Sequence, residues 1–223
     1  MHIADGILSA PVIAAGTAAA AAGTGLGLHM LDEEEIPKTA VLSCGFFVAS
    51  LIHVPVGLSS SHLILNGVAG IILGWAVFPA LLIALFMQWL FFSFGGITSL
   101  GVNTVAMALP GVLCHYLLRR PVRSASPRIA FIAGTAAGAL SIGLSALLLA
   151  SALLLSGKDF TLAAATLLAA HLPVLVVEGI VTGSIIVFFR NVRPEILAAY
   201  RSSASGGRQL EACSAMRTSR SLK

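Results

Sequence analysis

The chain has 223 residues, of which 57% are hydrophobic and only 10% charged, with a net charge of +4. A water-soluble domain carries about a quarter charged residues, so this chain cannot cover itself with polar surface, and a soluble enzyme is excluded. The positive charge lies in loops rather than on a soluble face, which argues against nucleic acid as a partner and for a lipid bilayer. Cys44, Cys114 and Cys213 form no C-x-x-C spacing, so neither a disulfide framework nor a thiolate metal site is indicated.

Apolar runs long enough to cross a hydrocarbon core fall at roughly 8–29, 38–56, 62–78, 79–97, 102–118, 129–155 and 162–189. They predict an all-α polytopic protein with about seven transmembrane helices. The third and fourth runs are separated only by Trp75 to Pro79, so one of them is expected to be short or re-entrant. Residues 1–200 form one membrane-embedded domain without internal repeats. The composition of 201–223, rich in Ser, Gly and Arg, predicts a disordered cytoplasmic tail. Of the 13 Lys and Arg residues, only Lys158 falls on the outer side when the loop with Arg119, Arg120, Arg123 and Arg128 is placed inside. The positive-inside rule then sets the N-terminus outside and the C-terminus in the cytoplasm. No Lys or Arg precedes Lys38, so the first run lacks the basic n-region of a secretory signal peptide.

Taken in chain order, the first chemistry is the opening Met1-His2-Ile3-Ala4-Asp5-Gly6. The amine of Met1 and the backbone nitrogen of His2 can close a five-membered ring on a metal ion. The same backbone nitrogen and Nδ1 of His2 close a six-membered ring. Fused rings of nitrogen donors impose a plane, which suits Ni(II), Cu(II) or low-spin Co(II) better than Zn(II) or Mg(II). Methionine removal needs a small second residue, so Met1 is expected to stay. The stretch from Ile52 to Leu63 carries His53 and His62, with Pro55 and Gly57 breaking the helix between them, and Ser59 and Ser61 beside them. It lies on the same outer side as Met1, and either histidine can be the fourth ligand or a helix-end residue. Asn66 is expected one turn beyond His62 on the same helical face.

Asn103, in a second helix-breaking junction, is expected to line the cavity or to cap a helix. His171 and Glu178 stand two turns apart on one face of the last span and are expected to have a structural or coupling role. Glu178, deep in an apolar run, needs a partner or must be neutral. His29 and His115 read as interfacial. Small residues fill the first span (Ala18 to Ala22, Gly23, Gly25, Gly27) and the sixth (Gly134, Ala136 to Ala139), spacing that serves either internal packing or a partner subunit.

Together MHIADGILS, SLIHVPVGLSSSHLILNG, LGVNTVAMALPGV and HLPVLVVEGIVTG resemble the CbiM/NikM family, substrate-binding components of energy-coupling factor transporters for cobalt and nickel. The resemblance runs over about 190 residues in order. It implies a seven-helix substrate component whose extra first helix delivers the N-terminus into the cavity, with Met1, His2 and His62 as metal ligands. His53, Ser59, Ser61, Asn66 and Asn103 would then lie in the cavity or just behind the ligands. The nickel-type stretch has an Asn where this chain has His53 in IHVPV, which points to the cobalt branch, and Ala106 stands where the family often has Asn. The ion is transported substrate, and no permanent cofactor is implied.

No GxxxxGK[ST] phosphate loop occurs, since Ser156-Gly157-Lys158-Asp159 lacks the glycine spacing. The chain is therefore not expected to be an enzyme. The resemblance implies a membrane coupling subunit, ATPase subunits and often a small accessory membrane protein. Two other classes are open to such a chain. An ion-gradient carrier would lean on Glu178 alone. An intramembrane serine protease would use Ser59, in Gly57-Leu58-Ser59, with His171 as base, and would leave Met1 and His2 idle.

Overall fold

The computed structural model describes residues 2–51, 53–56, 59–124 and 126–198, with the backbone alone at 53–56, 59–62, 158 and 198. Met1 and the tail expected at 201–223 lie outside the described residues.

Proline and apolar composition together shape the helices. α1 spans Ala10–His29 with Pro11 in its first turn, where the missing N–H would have had no partner. At 20 residues it is about 30 Å long, the thickness of the hydrocarbon core. α2 (Ile36–Ala49) is followed by an antiparallel hairpin of β1 (His53–Val56) and β2 (Ser59–His62), then by α3 (Asn66–Leu73) and α4 (Val77–Phe92). α5 (Leu100–Val122), α6 (Pro127–Ser156) and α7 (Thr161–Val192) are full spans, and α8 (Pro194–Ala198) is a short terminal turn.

Among the described residues there are seven helices of eight residues or more, as the hydropathy pattern predicts. Five described segments are, by length and composition, long and apolar enough to cross a bilayer: Ala10–His29, Asn66–Phe92, Leu100–Val122, Pro127–Ser156 and Thr161–Val192. The second of these reverses direction at Gly74, whose φ of 56° suits glycine. α3 runs parallel to α5, with Asn66 at Met107 and Gly70 at Gly111. The chain from Trp75 into α4 runs antiparallel to α1, with Gly27 against the Trp75 carbonyl and Gly23 against the Phe78 ring.

The helices within the expected spans 38–56 and 62–78 are shorter than the runs: α2 has 14 residues and α3 has 8, about 21 and 12 Å. α3 is thus the short member expected of the third and fourth runs, and the hairpin lies between α2 and α3. The break is legible in Pro55, which cannot donate to a helix ladder.

Helix ends sort onto two faces. At one, the Ser9 N–H donates to Ser156 Oγ at 3.0 Å, joining the start of α1 to the end of α6. At the other, Trp75 Nε1 donates to Tyr116 Oη at 3.1 Å and Arg123 Nε donates to the Leu197 carbonyl at 2.6 Å. His115, expected at the interface, is instead buried beneath this face with Nδ1 3.0 Å from the Ile71 carbonyl. His29 is exposed at the end of α1.

The two small-residue stripes divide. That of α6 packs internally, since a Cβ on Gly138 would stand 2.6 Å from the Glu178 carbonyl oxygen of α7. That of α1 buries only Ala20, Gly23 and Gly27, leaving most of the helix open.

Basic residues such as Arg119, Arg123 and Arg193 lie at the second face, which the positive-inside rule predicts to be cytoplasmic. In intact cells carrying a Cys44→Ser background, Asp159→Cys is expected to react with a membrane-impermeant maleimide, and Arg193→Cys only after permeabilisation. The opposite pattern would invert the topology and remove the N-terminal arm from the side where metal arrives.

Candidate functional site

A chain entering a membrane bundle brings main-chain groups that must find partners there, because an unpaired buried N–H or C=O costs about 1–3 kcal/mol. The N-terminal arm meets this demand at Ile3, which is 1% exposed. Asn103, in the second turn of α5, accepts from the Ile3 N–H through Oδ1 at 3.0 Å and donates from Nδ2 to the Ile3 carbonyl at 3.1 Å. Ser99 Oγ donates to the same carbonyl at 2.6 Å. Asn103 is therefore not a helix cap, the alternative open in the sequence; it secures the residue after His2.

Asp5 fixes the arm a second time. Its carboxylate accepts from the Thr98 N–H at 2.9 Å, the Ile97 N–H at 3.2 Å and the Thr98 hydroxyl. Partial burial pushes this carboxyl up, but the hydrogen bonds from Thr98, Ile97 and Ser99 outweigh it and hold the group below the ordinary carboxylate value. The loop after α4 lies against the arm. A Cβ on Gly96 would fall 2.0 Å from Asp5 Oδ1, and one on Gly95, at φ 75°, would fall 3.3 Å from His2 Cβ. Glycine lets the backbone approach the arm this closely. His2 itself is 4% exposed, inside the bundle rather than on its surface.

The hairpin segment is held by a different device. Glu178 of α7 is fully buried, and its carboxylate accepts from the Ile64 N–H through Oε2 at 3.0 Å and from the Leu65 N–H through Oε1. Leu65 takes φ 56°, a left-handed turn that leads into α3 and leaves these N–H groups facing α7. The buried acid thus has the partner its burial demands, in the two main-chain donors that follow β2. Asn66 opens α3 with Nδ2 donating to the Met107 carbonyl and to Ser145 Oγ, both at 3.0 Å. His62 stands in a strand, so the expected helical face shared with Asn66 is not formed.

The backbone register sets His53 opposite His62, and Val56 opposite Ser59. Met1 and the side chains of His53, Ser59, Ser61 and His62 lie outside the described residues. The structure therefore brings together His2, Asn103 and the loop at Gly95, and separately Glu178 and the chain just past His62. His171 is 3% exposed, two turns from Glu178 on α7, with Nδ1 2.6 Å from the Leu167 carbonyl.

Three participants escape a sequence reading. Asp5, Thr98 and Ser99 are polar residues in ordinary loop contexts, and only tertiary contact gives them a role. Gln88, the one amide in the apolar run FMQWLFF, is fully buried on α4, and neither of its side-chain polar atoms has a hydrogen-bond partner among the described residues.

Comparison with known proteins gives one consistent result. The family described as "Cobalt uptake substrate-specific transmembrane region" matches residues 2–196. A protein of Haemophilus influenzae named for metal transport is 43% identical over 201 residues, covering 88% of this chain and 97% of that protein. The cobalt transport protein CbiM of Sorangium cellulosum is 30% identical over 88% of this chain and 94% of its own length. Among solved structures, a truncated transition metal transporter superposes with a TM-score of 0.67 at 25% identity, covering 90% of this chain and all of that one.

Two predictions follow from the arm. Replacing Asn103 by Leu removes both bonds to Ile3 and is expected to weaken metal binding at least about tenfold, measured by titration of purified protein; unchanged affinity would refute the tether. For Asp5 the sign is set by its lowered pKa. The anchor is complete above the usual carboxylate range and is lost only as pH falls through the lowered value. Asp5→Asn is therefore expected to weaken binding by the same factor across pH 5.5–8, roughly, with any fall near the acid end of that range coming from the ligands themselves. A mutant penalty that shrinks as pH drops from 8 to 5.5 would contradict this.

Proposed function

Because the chain belongs to the family of cobalt-uptake substrate-specific transmembrane regions, we propose that it is the substrate-capture subunit of an ATP-driven importer of the energy-coupling factor type. It is a multi-pass membrane protein of cobalt and nickel uptake; the proposal adds its place in an ATP-coupled assembly and Co(II) as first cargo, Ni(II) as second. The observation that carries the reading is the arm: His2 is buried inside the bundle, and the residue after it is bonded at both main-chain groups by Asn103.

A buried amino-terminal histidine has a specific use. The Met1 amine, the His2 backbone nitrogen and His2 Nδ1 supply three donors of a plane, and His62 from the hairpin supplies the fourth. The backbone nitrogen loses its proton on binding, so uptake releases protons and weakens in acid. Anchoring Ile3 and Asp5 fixes the arm before metal arrives, which reduces the ordering that binding must impose. His53, in the place where nickel-type chains carry Asn, favours Co(II). Asn103 and Glu178 act by positioning, the first on the arm and the second on the chain just past His62.

Energy would come from partner ATPase subunits through a membrane coupling subunit, with a small accessory membrane protein as a further partner. The exposed small-residue face of α1 offers close approach to such a subunit. The ion-gradient reading relied on Glu178 as a proton or ion relay. That carboxylate is engaged by two main-chain N–H groups, and the support falls away.

The test separates a main-chain chelate from a side-chain site. Inserting one alanine between Met1 and His2 keeps every side chain but breaks the fused rings. It is expected to lower Co(II) and Ni(II) affinity on the order of a hundredfold or more, and to abolish radiometal uptake in cells supplying all subunits. Undiminished transport would remove Met1 and His2 from the site.

A further inference from the structure

The last span carries an imidazole that the chelate does not use. His171 is 3% exposed, and its Nδ1 lies 2.6 Å from the Leu167 carbonyl, one turn back on α7. A carbonyl can only accept, so Nδ1 carries the proton, and the neutral ring presents Nε2 as a lone pair. That Nε2 is buried and has no hydrogen-bond partner among the described residues. An imidazole pinned through Nδ1–H to a main-chain carbonyl, with Nε2 left bare, is the arrangement in which histidine meets a metal ion.

Its position fits the same cargo. α6 runs antiparallel to both α5 and α7 and serves as a common ruler. Cys114 Sγ meets the Ala137 carbonyl, so Asn103, 11 residues earlier on α5, stands level with roughly residue 148 of α6. Gly138 abuts Glu178, and Gly143 abuts Leu175, so His171 stands level with roughly residues 145–147. His171 and the Asn103 tether of the arm thus share one depth, within a turn. Ser145, at that depth, bonds Asn66 at the start of α3. Glu178 settles which way the face points: two turns along α7 from His171, it grips Ile64 and Leu65, the residues leading from the hairpin into the bundle.

We propose that Nε2 of His171 is a further donor to the transported ion, closing on it from α7 above the plane of the amino-terminal chelate. This rests on the chelate proposed above. A planar set of four strong nitrogen donors satisfies low-spin Ni(II), whose filled orbital along the perpendicular axis repels a fifth ligand. Low-spin Co(II) holds a single electron in that orbital and binds an axial base. His171 is therefore a specificity residue that favours Co(II) over Ni(II).

His171→Asn tests this with the fold protected, because the shorter amide keeps a donor near the Nδ1 position but has nothing at Nε2. Purified wild type and variant are titrated anaerobically with Co(II) and with Ni(II), and electron paramagnetic resonance is recorded on the Co(II) forms. The wild type is expected to show three-line splitting from one axial nitrogen on the cobalt lines. His171→Asn is expected to lose that splitting and about tenfold or more in Co(II) affinity, with Ni(II) affinity changed less than about threefold. Equal losses for both ions, or axial splitting retained in His171→Asn, would overturn the inference while leaving the chelate intact. Metal binding by the wild type that tolerates the alanine insertion after Met1 would overturn the chelate reading and this one together.

Discussion

The architecture depends on the pairing of the Ile3 peptide with the Asn103 amide. An N-terminal arm brought into a bundle is an awkward guest, because its main chain is not helical and cannot satisfy its own polar groups. In lipid such groups must be satisfied inside the protein. Asn103 supplies one acceptor and one donor on a single rigid group, so it satisfies both sides of Ile3 as a neighbouring strand would. With Ser99 and Asp5 adding further bonds, the backbone on either side of Ile3 is fixed, and His2 is held against the Gly95 loop.

The same logic recurs just past β2. The hairpin interrupts the membrane helices and leaves the N–H groups of Ile64 and Leu65 without a ladder. Glu178 takes both, one on each carboxyl oxygen. Asn103 sits on α5 and Glu178 on α7, and α6 packs between these helices through glycine and alanine. The two non-helical segments are thus referenced to one rigid three-helix body. For a planar metal site this matters, since displacement of a ligand by about 1 Å is enough to lose the geometry.

Much of this was legible in the sequence, and the failures have physical causes. The apolar runs located the helices, because lipid admits few alternatives. The need of Glu178 for a partner followed from its burial, but the partner was main chain, which no side-chain pattern announces. The runs at 38–56 and 62–78 contain shorter helices than they suggest because hydropathy reports apolarity, not conformation, and the runs take in β1 and the turn that leads into α3. Pro55 and Gly57 marked the break without showing that two strands would follow. Asn103 was ambiguous, since an asparagine near a helix start serves equally as a cap. Asp5 and Ser99 went unread because their roles exist only after the arm has docked.

Among the described residues, no three His, Cys, Asp or Glu side chains gather as a metal cluster. For a site made of side chains this would count against metal capture. A chelate built on the amine and the first peptide nitrogen makes a different demand. Two of its donors are main chain, one histidine contributes twice to the ring system, and only one further imidazole closes the plane. The protein's task then shifts from gathering acidic or thiolate groups to burying and immobilising a few residues of backbone. The hydrogen bonds to Ile3, Asp5, Ile64 and Leu65 do this, and all four lie beside the proposed ligands rather than on them. Metal capture of this kind is written in what holds the main chain still.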